Sequence, residues 1–315
     1  MVKPAQHADG HNSMQNSDAQ KASAPAEGGL GGRVHVVEGP KLPHNIPDGF
    51  ALDPAEVQFD PARHLQIEAP SAVFSSDFER STFPLPASVI ESGSYSLGYC
   101  EPFRLLSAEG AKELRSIIDK NECYAKSNER IPKCLRGLGY RSQFVRDLAY
   151  SPEVGSMLSA IAGKPLAPHS MPMNLAHTNF GRKVQATSED DAVIIDQWHV
   201  DSVDYVIVLI LSDLTHTVGG DLEVFHKKGV RDNANFLKAG IGPDEQHLVR
   251  TVPYPGAGYC ILMQGSQILH RVSPVTSAEE PRVSCVFSYM SLNCERHTLT
   301  VWTCRRGAQS NPGRC

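Results

Sequence analysis

Short β-type segments follow one another through the second half of this chain, without helices between them. Turn residues such as Gly219-Gly220 and Pro253–Gly256 separate the segments. The predicted strands are Ala192–Ile195, Val203–Leu211, Asp221–Phe225, Gly258–Met263, Ile268–Val272, Val283–Tyr289 and Leu299–Trp302. Many strands joined directly, after an earlier helical region, favour an antiparallel sandwich or barrel braced by helices.

Two supporting helices are predicted ahead of these strands. The first begins after Ser107, a suitable N-cap, and repeats apolar residues at helical spacing over residues 111–118. The second begins at Ser151-Pro152 and stops at Gly163. Both patterns indicate helices that pack against a core, and neither carries residues for chemistry.

The rest of the chain divides by composition into three regions. Residues 1–45 are rich in small and polar residues, which predicts a disordered tail. Residues 46–106 are rich in proline, which predicts an extended arm lying over a domain surface. Residues 107–315 would form the folded domain, with the charged segment 227–249 as a loop over one of its open ends.

Charge and hydropathy exclude several classes of partner. The formal net charge is −5, so the chain lacks the overall basic field expected of a protein that binds nucleic acid or an acidic membrane. No apolar run is long enough to span a bilayer and no secretory leader is visible, so we expect a cytoplasmic protein. The expected partners are small molecules or protein, and the oligomeric state is not predicted.

Cysteine usage fits the same compartment. The eight cysteines form no C-x-x-C pair, and several lie in apolar segments. They are predicted to be reduced, mostly buried thiols and not zinc ligands.

The segment Gln197–Asp201 carries the pattern most typical of a metal site. Residues i and i+2 of an extended chain point to the same side, so His199 and Asp201 can converge on one ion. His270, in a later predicted strand, would supply the third ligand. Two imidazoles and one carboxylate on one side leave adjacent octahedral positions free. The same spacing in His7-Ala8-Asp9 lies in the predicted tail, so the strand context gives the motif its meaning.

An arginine follows this group at the start of the next strand. Arg282 comes 12 positions after His270, and Ser284 would share its face. A guanidinium can bind a carboxylate through two hydrogen bonds, and a neighbouring hydroxyl adds a donor.

In the order His-x-Asp, distal His and Arg-x-Ser, the chain resembles the Fe(II)/2-oxoglutarate oxygenase superfamily over roughly residues 172–292. The resemblance implies a mainly β fold with supporting helices and a double-stranded β-helix core of the jelly-roll or cupin-like type. It implies a facial triad of His199, Asp201 and His270 holding Fe(II), with Arg282 and Ser284 binding the distal carboxylate of 2-oxoglutarate. O₂ would be the oxidant.

The implied activity is oxidation of an unactivated C–H bond of a small molecule, such as an amino acid or secondary metabolite. Hydroxylation, desaturation and oxidative cyclisation all remain open. Halogenation is disfavoured, since halogenating relatives lack the carboxylate ligand and Asp201 is present. Three alternatives stay open: an iron oxidase whose Arg-x-Ser pair binds a substrate carboxylate, a catalytically silent β-barrel binding module, and a hydroxylase of protein side chains.

Other residues are weaker candidates. Tyr205 and Asn174 could contact the co-substrate, and Arg136 or Arg141 could bind a carboxylate of the substrate. Trp198 is expected to pack in the core. The remaining histidines near the barrel are predicted to be solvated or structural: His169, His177, His216, His226 and His247.

Overall fold

Two antiparallel sheets provide the framework of the molecule. The computed structural model describes residues 52–127, 130–181, 184–185, 192–227 and 241–292. The α-helices of these residues are α1 Pro61–His64, α2 Ala87–Glu91, α3 Ala108–Lys120, α4 Leu138–Arg141, α5 Gln143–Ala149 and α6 Pro152–Ala162. The strands are β1 Ala72–Ser75, β2 Arg80–Thr82, β3 Leu97–Cys100, β4 Phe103–Arg104, β5 Cys134–Leu135, β6 Leu166–Pro168, β7 His177–Phe180, β8 Val184–Gln185, β9 Asp196–His199, β10 Tyr205–Ile210, β11 Leu222–Phe225, β12 Val249–Val252, β13 Tyr259–Met263, β14 His270–Val272, β15 Ser277–Ala278 and β16 Val283–Ser291.

The large sheet has ten strands and the small sheet has four. The main path of the large sheet is β2-β1-β3-β13-β10-β16-β7-β5, with β4 paired to β13 and β6 to β16. The small sheet has the order β12-β11-β14-β9, and β15 pairs with β8 separately. From β9 to β16 the chain passes repeatedly between the two sheets, which is the winding of a double-stranded β-helix. The predicted fold class is therefore confirmed.

Strand β10 lies at the centre of the large sheet. Every residue of its sequence Tyr-Val-Ile-Val-Leu-Ile is buried, and all six belong to one apolar cluster that also contains residues of α3, α5 and α6. Val206 and Val208 line the space between the two sheets. On the helix side, Tyr289 of β16 donates a hydrogen bond of 3.2 Å to the carbonyl of Ala149 in α5. Full burial of each aliphatic side chain contributes about 1.5–3 kcal/mol.

The two predicted helices are present with the expected ends. Ser107 caps α3 by accepting a hydrogen bond from the Gly110 amide at 3.0 Å. Ser151 caps α6, and Gly163 ends it in the left-handed conformation, with φ of 66°. Capping residues of this kind act locally, which is why the sequence locates both helix boundaries.

Several strands differ from the prediction. Strands β1 to β4 come from the region predicted as an extended arm, and Val73, Phe74 and Tyr99 are buried within the large sheet. The strand predicted at Ala192–Ile195 occurs at Asp196–His199 instead, because Val193 and Ile195 pack in a small separate cluster. Strand β12 is formed at the end of the predicted 227–249 loop. The division of the chain at residues 45 and 106 remains a prediction.

Some predictions fall outside the described residues. The predicted strand Leu299–Trp302, the tail 1–45 and residues 228–240 of the predicted loop belong to this group. The described cysteines are all free; Cys100, Cys134, Cys260 and Cys285 are buried and Cys123 is exposed. Among the described helices, none has both the length and the apolar character needed to cross a bilayer.

Candidate metal centre

His199, Asp201 and His270 converge at one point on the small sheet. His199 ends β9, and His270 begins β14 directly opposite it, with ring centroids 4.2 Å apart. Asp201 Oδ1 lies 3.4 Å from His199 Nε2, and its Oδ2 lies 3.7 Å from His270 Nε2. One potential ligand atom from each residue lies within 4.8 Å of the others. The three residues that the sequence selected are therefore brought together in space.

Both imidazoles are held by backbone carbonyls. His199 Nδ1 donates to the Gln197 carbonyl at 2.6 Å, and His270 Nδ1 donates to the Ile268 carbonyl at 2.8 Å. A carbonyl can only accept, so each Nδ1 carries the proton and each Nε2 presents a lone pair toward Asp201. Fixing the tautomer through the second ring nitrogen is typical of histidines that bind metals.

Asp201 is held by the loop after β13. Its amide donates to the Gly265 carbonyl at 2.9 Å. A Cβ atom at position 265 would overlap Asp201 Oδ2, so this approach requires glycine. Gly265 is a site residue that the sequence prediction missed, since a lone glycine between strands indicates a turn as readily as a close contact.

Burial and charge set the protonation of this group. Burial raises the pKa of Asp201, but the two imidazoles outweigh it, so the pKa lies well below its usual range and the side chain is ionised. Burial lowers the pKa of His270 to about 4, with a further contribution from His199, so His270 is neutral at neutral pH. An ionised carboxylate beside a neutral imidazole is the state in which these side chains bind a cation.

The metal group opens into a cavity between the two sheets. We call the part of its lining formed by the buried Arg282, Ser284 and Tyr254 the inner end, and the part at the more exposed Arg130 the outer end. The side chain of Arg130 is 33% exposed, whereas Arg282 is 1% exposed. Apolar residues form much of the wall between the ends: Val206, Val208, Leu222, Met263, Val272 and Val286.

Arg282 is buried at the inner end with unused hydrogen-bonding capacity. Its Nη1 donates to Ser284 Oγ at 3.1 Å, as the shared face of residues 282 and 284 predicts. Among the described residues, its Nε and Nη2 have no hydrogen-bond partner, and neither has the Tyr254 hydroxyl. Asp221 offsets part of the charge, because it acts against the lowering of the Arg282 pKa that burial causes. The inner end thus presents several unpaired donors to the cavity.

The outer end carries an ion pair that the sequence did not indicate. Arg130 Nε lies 3.1 Å from Asp196 Oδ1, and Asp196 lies 3.6 Å from His199 Nδ1. Burial raises the pKa of Asp196, while His199 and Arg130 oppose that effect. His177 and Asn179 of β7 complete the polar lining of the cavity.

None of the weaker candidates is among the described residues that line the cavity. Tyr205 is not among the described residues that line it, because its alternating neighbours Val206 and Val208 take that face. The bend over residues 202–204 interrupts the extended backbone between Asp201 and Tyr205, so strand alternation does not relate the directions of these two side chains. Asn174 lies in a short 3₁₀ helix, with its Nδ2 3.4 Å from His169 Nδ1.

The two predicted arginines are also outside the cavity lining. Arg136 is exposed, and the Arg141 guanidinium lies 3.5 Å from the centre of the Tyr124 ring. Trp198 packs with Phe225, as expected for a core residue, with ring centroids 6.4 Å apart.

Comparisons with known proteins gave matches among solved structures alone. No protein-family model and no curated protein matches the chain. The non-heme alpha ketoglutarate dependent epimerase SnoN from nogalamycin biosynthesis is 18% identical, with 62% of this chain and 78% of that chain covered and a TM-score of 0.46. AviO1 from Streptomyces viridochromogenes Tue57 is 16% identical, covering 67% and 97%, with a TM-score of 0.44.

A third structure is the carbocyclase SnoK, also described as non-heme and alpha ketoglutarate dependent. It is 12% identical, with 70% of this chain and 87% of that chain covered and a TM-score of 0.44. In the order of its motifs the chain resembles the Fe(II)/2-oxoglutarate oxygenases.

Proposed function

We propose that this chain is an Fe(II)- and 2-oxoglutarate-dependent oxygenase acting on a small molecule. One observation carries the proposal. A buried guanidinium with unpaired N–H groups lies in the same cavity as a His-Asp-His group whose ligand atoms already converge. A bidentate co-substrate with a carboxylate at its far end would use both features at once.

The donor set fits iron(II). Two imidazole nitrogens and one carboxylate oxygen form the facial arrangement of non-haem iron oxygenases, in which further coordination positions stay open. None of the described cysteines belongs to the metal group, so it lacks the thiolates of a closed structural zinc site. We assign Fe(II) to His199, Asp201 and His270.

The inner end of the cavity fits the far carboxylate of 2-oxoglutarate. Leaving a buried donor unpaired costs about 1–3 kcal/mol, and more for a charged group. Arg282 leaves two such N–H groups unpaired, and the Tyr254 hydroxyl adds a third donor. A carboxylate would satisfy all three and neutralise the buried charge. This arrangement favours an active enzyme over a silent binding module.

The chain's own residues would position and shield the reactants. With 2-oxoglutarate and O₂, bound iron would supply oxidative decarboxylation to succinate and CO₂, coupled to oxidation of a substrate C–H bond. Gln197 and Ile268 hold the imidazoles by their carbonyls, and Gly265 holds Asp201. The apolar wall excludes water from the space between the metal group and Arg282.

The proposal also includes the location, substrate class and domain extent predicted from the sequence. The protein would act in the cytoplasm on an amino acid or secondary metabolite, and its net charge of −5 gives no reason to invoke nucleic acid. The outcome could be hydroxylation, desaturation or oxidative cyclisation. The folded domain would comprise residues 107–315 together with β1 to β4 of the preceding region.

Anaerobic titration tests the proposal directly. Iron(II) followed by 2-oxoglutarate should produce a metal-to-ligand charge-transfer band in the wild-type protein, and that band should be absent when succinate replaces 2-oxoglutarate. A screen of amino acids and oxygenated secondary metabolites should then reveal substrate-stimulated succinate release. Iron binding without the band would contradict the proposal. Substrate oxidation without succinate would favour the oxidase alternative.

A further inference from the structure

His177 is a half-buried polar residue that lines the cavity, and neither the metal group nor the inner end gives it a role. It begins β7 and lies opposite Val286 of β16. Both residues line the cavity. Its Nε2 is buried and has no hydrogen-bond partner within the part of the chain that the structure describes. The sequence predicts a solvated or structural role for His177, and its buried, unpaired Nε2 is the reason to consider a role in binding as well.

Strand register separates His177 from the carboxylate end. Asn179, two residues further along β7, pairs with Ser284 beside Arg282. Two residues of a strand span about 6–7 Å, so His177 lies about that far from the residue paired with Ser284, and it is within electrostatic range of Arg130. It belongs to the large sheet, whereas His199 and His270 belong to the small sheet. A molecule between the metal group and the large sheet would meet His177 there.

The backbone before His177 is strained. Ala176 is fully buried and has φ of 56°, a left-handed conformation that residues with a Cβ rarely adopt. Thr178 Oγ1 donates to the Ala176 carbonyl at 3.2 Å and helps to hold it. Such strain persists where the surrounding structure fixes it, and it is concentrated at functional sites. Here it sets the direction in which His177 enters the strand.

The charge around His177 keeps the imidazole neutral. Burial lowers its pKa to about 3, and Arg136 and Arg130 lower it further by repulsion. A neutral imidazole has one donor and one acceptor nitrogen. Its Nε2 can therefore pair with an uncharged oxygen such as a hydroxyl or carbonyl.

We propose that His177 is a positioning residue for the primary substrate, with its buried Nε2 bonding a hydroxyl or carbonyl oxygen at the outer end of the cavity, opposite the metal group. The inference rests on the proposed function, since it takes the metal group and Arg282 as the sites of iron and 2-oxoglutarate. It adds a substrate class: a molecule with an oxygen substituent near the C–H bond that reacts.

Paired substitutions at position 177 test the inference first in the metal-free protein. His177→Phe fills the volume without a polar atom, and His177→Gln keeps a hydrogen-bonding group; His216→Gln changes an exposed histidine as the control. Removing an unpaired buried nitrogen should raise Tm, by about 2 °C or more in His177→Phe. A histidine kept for the fold would instead lower Tm on substitution.

The second measurement uses nitric oxide, a small polar molecule that binds to iron(II), as a probe of the space around the metal group. All four proteins should bind iron(II) and 2-oxoglutarate with a charge-transfer band and Kd within about twofold of wild type, because the inference assigns His177 to the substrate and not to the metal or to 2-oxoglutarate. The EPR spectrum of the nitric oxide complex should change in His177→Phe and return toward wild type in His177→Gln. An unchanged spectrum in His177→Phe, or a fall in its Tm, overturns the inference. Absence of the band in the wild type is a different failure, since it removes the proposed function and the inference with it.

Discussion

The metal group and the inner end of the cavity differ in how many of their polar atoms form hydrogen bonds within the protein. At the metal group, both imidazoles donate to backbone carbonyls and Asp201 rests against Gly265. At the inner end, Arg282 has one hydrogen bond to Ser284 and leaves Nε and Nη2 unpaired among the described residues. The side chains of the metal group are therefore held in place before an ion binds, whereas the inner end has N–H groups that lack acceptors.

The difference shows what each end needs from its ligand. Metal ligands must keep a fixed geometry before the ion arrives, so their second atoms are tied to the backbone. An anion brings its own acceptors, so a carboxylate-binding end can leave donors open at some cost in stability. Substitutions should therefore weaken ligand binding at both ends but change the stability of the ligand-free protein differently.

The largest effect is expected from Asp201→Asn. The substitution keeps the shape of the side chain but removes the negative charge between the two imidazoles, so iron(II) affinity should fall by more than about a hundredfold. Iron titration monitored by the 2-oxoglutarate charge-transfer band measures the change. Asp213→Asn, at an exposed aspartate that bonds Thr215, is the matched control and should keep wild-type affinity.

A substitution at the inner end should weaken 2-oxoglutarate binding without destabilising the ligand-free protein. Arg282→Met removes the guanidinium, so 2-oxoglutarate Kd should rise about 10- to 100-fold while iron affinity stays near wild type. Tm of the ligand-free protein should rise, because unpaired buried N–H groups are lost. Weaker iron binding with unchanged 2-oxoglutarate binding would show that the two ends are not the independent sites described above.

Gly265→Ala tests the support behind the metal group. The added methyl group would overlap Asp201 Oδ2 and displace the carboxylate, so iron affinity should fall about 10- to 100-fold without loss of any ligand. Gly155→Ala is the control, since Gly155 lies in α6 with open space around it. That control should raise the free energy of unfolding by about 0.5–1 kcal/mol, and equal iron affinities in the two variants would contradict the role of Gly265.

The same contrast explains what the sequence could predict. His199 and Asp201 are two residues apart, and Arg282 and Ser284 are too, so local alternation predicts which side chains lie together. Strand β10 and helices α3 and α6 follow from continuous apolar or periodic segments and their caps. These signals need no knowledge of the rest of the chain.

The missed residues depend on contacts between distant segments. Tyr254 follows the end of β12 and Gly265 follows β13, and each reaches its position through the pairing of strands far apart in sequence. His177 enters the cavity because β7 pairs with β16, a register that local periodicity does not encode. Tyr205 shows where local alternation ends, because the bend at residues 202–204 separates it from Asp201 and its neighbours Val206 and Val208 line the cavity.

The smallest effect is expected at Ser284, and it distinguishes two ways in which the inner end could work. If Ser284 chiefly orients Arg282, then Ser284→Ala frees Nη1, and the guanidinium keeps its charge but loses its fixed direction. One neutral hydrogen bond contributes about 0.5–1.5 kcal/mol, so 2-oxoglutarate Kd should rise about two- to tenfold. Ser284→Thr, which keeps the hydroxyl, should stay closer to wild type. If Ser284→Ala weakened 2-oxoglutarate binding as much as Arg282→Met does, the Ser284 hydroxyl itself would be the principal donor to the carboxylate. The carboxylate site at the inner end would then be centred on Ser284 and Tyr254 and not on the guanidinium.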